Sequence, residues 1–349
     1  MAKRNQAGGR HRRAFLKEMA ASGGAFMLAG SLGELMAQVA PNWKNQIGLE
    51  LFTVGGLLRE NYEGTLAKLA EIGYKEVEPA DPYNNMEPKQ YKALLDKYGM
   101  KMLSTHSGAT DGPGLEKQLE GFQLMGIKYT EVRAAGGRGG PGGAPPAGGR
   151  GGPSGAPPAG APQTAGAGPG PGGPPQPRPA RSVESVKRSA AQLNKHGEIV
   201  KKFGMKILIH NHTGEFELLD DGKTTQYDVL LAETDPALVV MQLDIGWASV
   251  AGKNILEMFR TNSGRYELWH VKDATVKNLD PKATPSERQR AAKIVPMGQG
   301  DIDYKTIYAN AKLAGLKYFV IEQDGAGRES GDAIADCRVA YQNLFKILS

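Results

Sequence analysis

Short apolar runs alternate with amphipathic segments along most of the chain, starting at Ile47. The apolar runs have the length and the Val, Ile and Leu content of buried strands. They predict eight strands, near residues 47–54, 75–80, 101–106, 129–134, 206–212, 238–245, 266–273 and 317–322. Apolar residues at helical spacing lie between these runs, as at Leu66, Leu69 and Ile72. Eight successive β/α units over about 300 residues predict a (β/α)8 barrel, an α/β fold with one parallel sheet.

Residues 135–181 interrupt this alternation. They consist only of Gly, Pro, Ala, Arg, Ser, Gln and Thr, so they offer no large apolar side chain for a core. This composition predicts a disordered insertion after the fourth strand, on the side of the barrel where active sites lie. We favour a loop expansion without a function of its own. The alternative is that its four arginines bind an acidic polymer or surface.

The N-terminal 40 residues have the pattern of an export signal. Arg12 and Arg13 precede a weakly hydrophobic stretch rich in Gly and Ala, from about Met19 to Leu35. This arrangement resembles a bacterial twin-arginine signal peptide. It predicts cleavage between Ala37 and Ala40, passage through the twin-arginine translocase and a periplasmic or otherwise exported mature protein of residues 41–349. No other stretch is long enough for a transmembrane helix, so we expect no membrane span after cleavage.

The positive charge of the chain lies outside the predicted barrel. The formal net charge is +6, but residues 1–40 contribute +4 and residues 135–181 another +4, which leaves −2 for the remainder. A mildly acidic barrel gives no argument for nucleic-acid binding. The single cysteine, Cys337, excludes an intrachain disulfide, and we expect it to be buried filler.

Four apolar runs in the second half of the chain end in side chains that can ligate a metal. These side chains are His210, Asp244, His270 and Glu322. A parallel barrel gathers the C-terminal ends of its strands at one mouth, so residues distant in sequence can converge there. Two imidazoles and two carboxylates suit Mn²⁺, Zn²⁺, Co²⁺ or Fe²⁺. The pattern therefore predicts one divalent metal ion held by these four residues.

Further polar and aromatic residues are expected near the same mouth. We predict that Glu322, His212, Lys272 and Glu78 are catalytic, with Lys272 neutralising an oxyanion and Glu78 acting as a base. The residues predicted to bind substrate are His106, Trp247 and Asn211. His106 would bond a hydroxyl, and Trp247 would stack on a sugar face.

The motifs at these strand ends resemble those of the xylose isomerase-like barrels, which include the sugar phosphate isomerases/epimerases. The matching segments are 209–217, 243–247 (Leu-Asp-Ile-Gly-Trp), 269–273 (Trp-His-Val-Lys-Asp), 298–302 and 320–324. By this resemblance, Asp244, His270 and Glu322 fall on three family metal ligands. The fourth is usually a glutamate at the end of strand five, and His210 stands there in this chain. This departure puts ordinary two-glutamate epimerisation in doubt, and other replacements argue against a trinuclear phosphodiesterase.

The predicted chemistry is proton abstraction next to a carbonyl, giving an enediolate. The first hypothesis is a metal-dependent sugar isomerase/epimerase that acts on a small carbohydrate. The second is a lyase or hydratase acting on a keto sugar or keto glycoside at the same site, which His210 favours. The third is a periplasmic barrel that binds carbohydrate without converting it. Homo-oligomers are possible under each hypothesis.

Overall fold

The structure is a computed structural model that describes residues 42–81, 83–133 and 180–349. The export signal predicted for residues 1–40 lies outside the described residues. The same is true of almost all of the insertion predicted for residues 135–181. Among the helices of the described residues, none has the length and hydrophobicity needed to cross a membrane.

The described residues contain ten strands. In chain order they are β1 Gly48–Glu50, β2 Glu76–Glu78, β3 Ser104–Thr110, β4 Tyr129–Arg133, β5 Lys206–His210, β6 Val239–Asp244, β7 Leu268–Val271, β8 Asp273–Thr275, β9 Lys293–Val295 and β10 Tyr318–Ile321. Eight of them form one parallel sheet in the order β2-β1-β10-β7-β6-β5-β4-β3. The two end strands, β2 and β3, meet through backbone bonds from Val77 N to Lys101 O (2.9 Å) and from His106 N to Pro79 O (2.9 Å). The sheet is therefore nearly closed, as the alternation of strand and helix predicts.

Helices cover the outside of the sheet. They are α1 Gly55–Glu60, α2 Tyr62–Ile72, α3 Pro88–Lys97, α4 Leu115–Met125, α5 Val183–Lys201, α6 Gln226–Glu233, α7 Ile245–Val250, α8 Ile255–Thr261, α9 Pro285–Ala291, α10 Tyr304–Ala309, α11 Ala311–Ala314 and α12 Ala333–Ile347. Several begin at a side-chain cap, as where Ser182 accepts from the backbone N–H of Ser185 and starts α5. Their apolar faces bury residues such as Leu66 and Leu69 against the sheet.

Three details differ from the predicted elements. The first strand ends at Glu50, and Leu51–Val54 is a 3-10 helix that leaves Phe52 59% exposed. The third strand lies at Ser104–Thr110 instead of ending at residue 106. An antiparallel pair, β8 and β9, follows β7 and was not predicted. It forms because the Asp273 carboxylate accepts from the backbone N–H groups of Gly298 and Gly300 (2.9 Å each), a bond pattern that no short-range periodicity reveals.

The interior of the barrel is apolar in one layer and polar in the next. Leu208, Val240, Leu268, Tyr318 and Val320 form a buried cluster separate from the larger core between sheet and helices. Side chains alternate along a strand, so residues two positions further along each strand face the same interior. These are His210, Gln242, His270 and Glu322, and one more step adds Asp244 and Lys272. The sheet therefore stacks a polar layer above the apolar one, at the C-terminal ends of the strands.

Candidate active site

The polar layer collects ionisable side chains from the ends of seven strands. They are Glu50, Glu78, His106, His210, Asp244, His270, Lys272 and Glu322. All are buried except His106, whose side chain is 17% exposed. A group of charges taken out of water in this way is stable only if each charge is paired or hydrogen-bonded.

His210, Asp244, His270 and Glu322 lie together, as the strand-end pattern predicts. Each offers one ligand atom within 4.8 Å of the ligand atoms of the other three. His210 Nε2 lies 3.4 Å from Asp244 Oδ2, and among the described residues it has no hydrogen-bond partner. Burial, followed by the charges of His270 and His212, lowers the pKa of His210 well below its usual value. A neutral imidazole with a buried, unbonded nitrogen beside a carboxylate fits a divalent cation.

Lys272 adds a fixed positive charge to this group. Its Nζ lies 3.0 Å from Asp244 Oδ2, 3.1 Å from Glu322 Oε2 and 2.6 Å from Asp324 Oδ2. It also lies 4.7 Å from the centre of the Trp247 ring. Burial alone would lower the pKa of Lys272, but the three carboxylates outweigh it and raise that pKa well above its usual value. Lys272 is therefore an ammonium that neutralises negative charge, and a cation bound by the same carboxylates would remove the cause that raises its pKa.

Glu78 is the most heavily hydrogen-bonded carboxylate of the site. Its Oε1 lies 2.7 Å from His270 Nε2 and 3.0 Å from His106 Nε2. Its Oε2 accepts from Gln242 Nε2 at 2.7 Å and from the hydroxyl of Ser104. Burial alone would raise the pKa of Glu78, but His106 and His270 lower it to about 2. Glu78 is thus a carboxylate whose lone pairs are already engaged.

The other predicted site residues lie in two different settings. His212 is partly exposed at the mouth, with its ring centre 4.8 Å from that of His210 and 6.4 Å from that of Trp247. Asn211 is fully buried and is bonded to the backbone of Asp244, to which its Oδ1 and Nδ2 lie at 3.0 and 3.3 Å. These two bonds tie β5 to β6 and turn the Asn211 amide away from the substrate-binding role predicted for it.

Sequence reasoning missed one acid of the site. Glu50, at the end of β1, is 1% exposed, and neither carboxylate oxygen has a hydrogen-bond partner among the described residues. Burial, together with the nearby charge of Glu322, raises its pKa well above the usual value. Asp324 follows β10 and pairs with Lys272. Glu50 lies inside the stretch 47–54 that the sequence predicts as one strand, so the strand-end pattern does not single it out.

The fold and this layer of strand-end residues define a (β/α)8 barrel with a polar site at its C-terminal mouth. Residues 160–339 match the model of the xylose isomerase-like TIM barrel family. The chain belongs to this family, which confirms the resemblance seen in its strand-end motifs.

Two curated relatives are similar to parts of the chain. The inosose dehydratase of Bacillus licheniformis is 28% identical over 154 residues, which are 42% of this chain and 50% of that protein. The inosose dehydratase of Geobacillus kaustophilus is 26% identical over 266 residues, which are 72% of this chain and 76% of that protein. The chain spans about half the length of most of the inosose dehydratases that it matches.

Solved structures share the fold at low identity. A sugar phosphate isomerase/epimerase from Parabacteroides distasonis matches with a TM-score of 0.56 and 18% identity, over 86% of this chain and 93% of that chain. The IOLI protein with a bound zinc atom matches with a TM-score of 0.53 and 15% identity, over 87% of this chain and 98% of that chain. At such identities the likeness establishes the fold, and function has to be argued from the site itself.

Proposed function

We propose that the protein is a metal-dependent lyase that removes water from a small keto sugar or cyclic keto polyol. His210, Asp244, His270 and Glu322 would hold one divalent cation of the Mn²⁺, Zn²⁺, Co²⁺ or Fe²⁺ type. When bound, such a cation stabilises negative charge on the substrate's carbonyl oxygen and so acidifies the neighbouring C–H bond. The zinc bound to a structural neighbour and the dehydratase names of the relatives support this proposal.

The observation that carries the proposal is that the two groups able to transfer protons at the mouth differ in chemical type, one being an ammonium and the other an imidazole. Lys272, just after β7, is a buried ammonium in contact with Asp244, and His212, just after β5, is a partly exposed imidazole. Elimination of water needs one group that accepts the α-proton and another that protonates the departing hydroxyl. An epimerase that uses two carboxylates needs a matched pair, and the strand-five position of that pair is His210 here. The unlike pair therefore favours elimination.

The step can be written with these residues. His212 accepts the proton from the carbon next to the ketone, and the C–H electron pair becomes the new C=C bond. The bond from the β-carbon to its hydroxyl breaks, and that oxygen leaves as water with a proton from Lys272. His212 then returns its proton to solvent, and Lys272 regains one. Trp247 covers Lys272 and helps to exclude other water from the site.

Turnover of an inosose, the substrate in the names of the relatives, tests the proposal and its alternatives when it is run in D₂O. Metal-loaded protein should form an unsaturated ketone, seen by ultraviolet absorbance and by the mass of the dehydrated product. Lys272→Met and His212→Asn should each slow this reaction at least tenfold. Lys206→Met is the control, because Lys206 pairs with Glu267 at the opposite end of the barrel. Deuterium incorporation by loaded protein into the substrate or an isomer, with no dehydrated product formed, would refute the lyase.

The alternative proposal is an isomerase or epimerase. It is favoured by Glu322, whose carboxylate lies 3.1 Å from Lys272 and ends the last barrel strand. Burial alone would raise the pKa of Glu322, but Lys272 and His270 lower it, so the group is ionised and able to accept a proton. Deuterium exchange that wild type shows and Glu322→Gln lacks, without loss of water, would support this alternative.

Export is a separate proposal that rests on residues 1–40. An exported enzyme would meet free sugars or glycosides, whereas phosphorylated sugars are mainly cytoplasmic. Arg12→Lys combined with Arg13→Lys should leave the precursor in the cytoplasm, as fractionation would reveal. Normal export of this double variant would exclude the twin-arginine route.

A further inference from the structure

His270 belongs to two groups of potential ligands, one at each ring nitrogen. Its Nδ1 lies 2.6 Å from Glu322 Oε2, within the group that also contains His210 and Asp244. Its Nε2 lies 2.7 Å from Glu78 Oε1, within a second group that also contains His106. The ring is fully buried, so both nitrogens face protein and neither faces solvent.

In the second group, hydrogen bonds satisfy the polar atoms of Glu78 without a metal ion. Glu78 is an acceptor, and its two oxygens accept from His270 Nε2, Gln242 Nε2 and the hydroxyl of Ser104, while His106 Nε2 lies 3.0 Å from its Oε1. Gln242 donates to Glu78 through Nε2, so its Oε1 is the atom 2.7 Å from His106 Nε2. His106 therefore carries a proton on Nε2. His270 must likewise carry a proton on Nε2, because an ionised Glu78 can only accept there.

The first group is different, because His210 Nε2 has no hydrogen-bond partner among the described residues. The group around Glu78 is therefore a hydrogen-bonded network, the group around His210 is open to a cation, and His270 belongs to both. A proton on Nε2 leaves Nδ1 as the nitrogen whose lone pair can face a cation beside Asp244 and Glu322. Histidines that ligate metals commonly donate their other N–H to a carboxylate, which fixes the orientation of the ring.

We propose that Glu78 is a positioning residue that holds the Nε2–H of His270 and so presents Nδ1 to the cation. This inference rests on the proposed metal site and assigns Glu78 a role other than the base predicted from the sequence. His270, Gln242 and Ser104 already donate to its carboxylate, and these bonds oppose a role as a base towards substrate. The network through Gln242 to the partly exposed His106 also extends this support to the mouth of the site.

The test measures metal affinity and not turnover. Wild type, Glu78→Gln, Glu76→Gln and Asp244→Asn are stripped of metal and titrated with Zn²⁺ against a chromophoric chelator. Glu76 is the matched control, since it is a second buried acid on the same strand and pairs with Lys101 at 2.9 Å. We expect Glu78→Gln to bind Zn²⁺ about 10–100-fold more weakly, and Glu76→Gln to bind it as wild type does.

Several results would overturn the inference. If Glu78→Gln keeps wild-type affinity while Asp244→Asn loses it, the metal site stands and the role of Glu78 fails. If Asp244→Asn also keeps wild-type affinity, the proposed metal site itself fails. Two Zn²⁺ ions per wild-type chain, the second lost in Glu78→Gln, would mean that Glu78 is itself a ligand.

A second measurement has a wild-type result that by itself tests the orientation of His270, whether or not a variant folds. In ¹⁵N-histidine NMR spectra of the Zn²⁺-loaded protein, His270 should carry its proton on Nε2, with a slowly exchanging resonance. Glu78→Gln should shift this resonance or speed its exchange, whereas Glu76→Gln should not. A proton on Nδ1 of His270, with zinc on Nε2, would refute the proposed orientation.

Discussion

Replacing Lys272 with Met tests whether this site is built around positive charge. The variant keeps the length and most of the volume of the side chain but removes the ammonium. Asp244, Glu322 and Asp324 then lose a partner that lies 2.6–3.1 Å from each of them. Removing one member of a buried ion pair typically destabilises a fold by about 3–5 kcal/mol. At about 2 °C per kcal/mol for a domain of this size, the melting temperature should fall by roughly 6–10 °C.

Metal should reverse much of this loss. A divalent cation bound by Asp244 and Glu322 supplies the charge that the variant lacks. In the variant the cation is also no longer repelled by the ammonium of Lys272. Two unit charges about 4 Å apart interact by about 4 kcal/mol at an effective dielectric constant of 20. The variant should therefore bind Mn²⁺ at least about tenfold more tightly than wild type. At saturating Mn²⁺ its deficit in melting temperature should shrink to a fraction of the metal-free value.

Thermal unfolding over a series of Mn²⁺ concentrations measures both effects. Lys206→Met is the control, because Lys206 forms a partly buried ion pair at the other end of the barrel and Lys317 still pairs with Glu267 in that variant. Its melting temperature should respond to Mn²⁺ as wild type does. A Lys272→Met protein that is equally destabilised with and without Mn²⁺ would refute the argument that Lys272 and the cation share the same carboxylates.

Three further predictions follow from single carboxylates. Asp244→Asn should abolish tight metal binding in a chelator competition but keep its fold, because the asparagine oxygen can still accept from the backbone N–H of Trp247. Glu78 has a folded-state pKa of about 2 against the ordinary 4.5, so it stabilises the fold above pH about 4.5 and loses this contribution as the pH falls towards 2. The shift corresponds to about 3 kcal/mol, and urea unfolding of Glu78→Gln should show a flatter pH dependence in that window. Glu50 has a raised pKa, so its contribution is complete below pH about 4.5 and is lost as the pH rises; Glu50→Gln should therefore gain stability over wild type in urea unfolding from pH 5 to 8.

The barrel could be predicted from the sequence because its signal is repeated. Each strand is a short apolar run, and parallel pairing forces all strand ends to one mouth. The same reasoning brings His210, Asp244, His270 and Glu322 together without any knowledge of their contacts. The antiparallel pair β8 and β9 could not be predicted in this way. The backbone N–H groups that donate to Asp273 lie about 25 residues further along the chain, beyond the reach of any local periodicity.

The division of roles inside the site could not be predicted, because it depends on which atoms lie within hydrogen-bond distance. Glu78 and Asp244 give a similar signal in the sequence, an acid near the end of a predicted strand. In the structure Glu78 accepts from three donors, whereas Asp244 lies beside an unbonded imidazole nitrogen. Asn211 is flanked by two histidines in the sequence, yet its amide bonds to the backbone of Asp244. Only coordinates separate these positioning roles from a direct chemical role.

The charge of the polar layer gives an independent argument for a cation. Five carboxylates meet there: Glu50, Glu78, Asp244, Glu322 and Asp324. The fixed positive charge among them is Lys272, and the protonated form of His270 can add one more. The burial-raised pKa of Glu50 reduces the excess by keeping that acid neutral. Because buried like charges repel strongly at low dielectric, a divalent ion beside Asp244 would relieve the remaining imbalance where His210 has an open nitrogen. Metal binding and the stability of the fold should therefore be coupled in this protein.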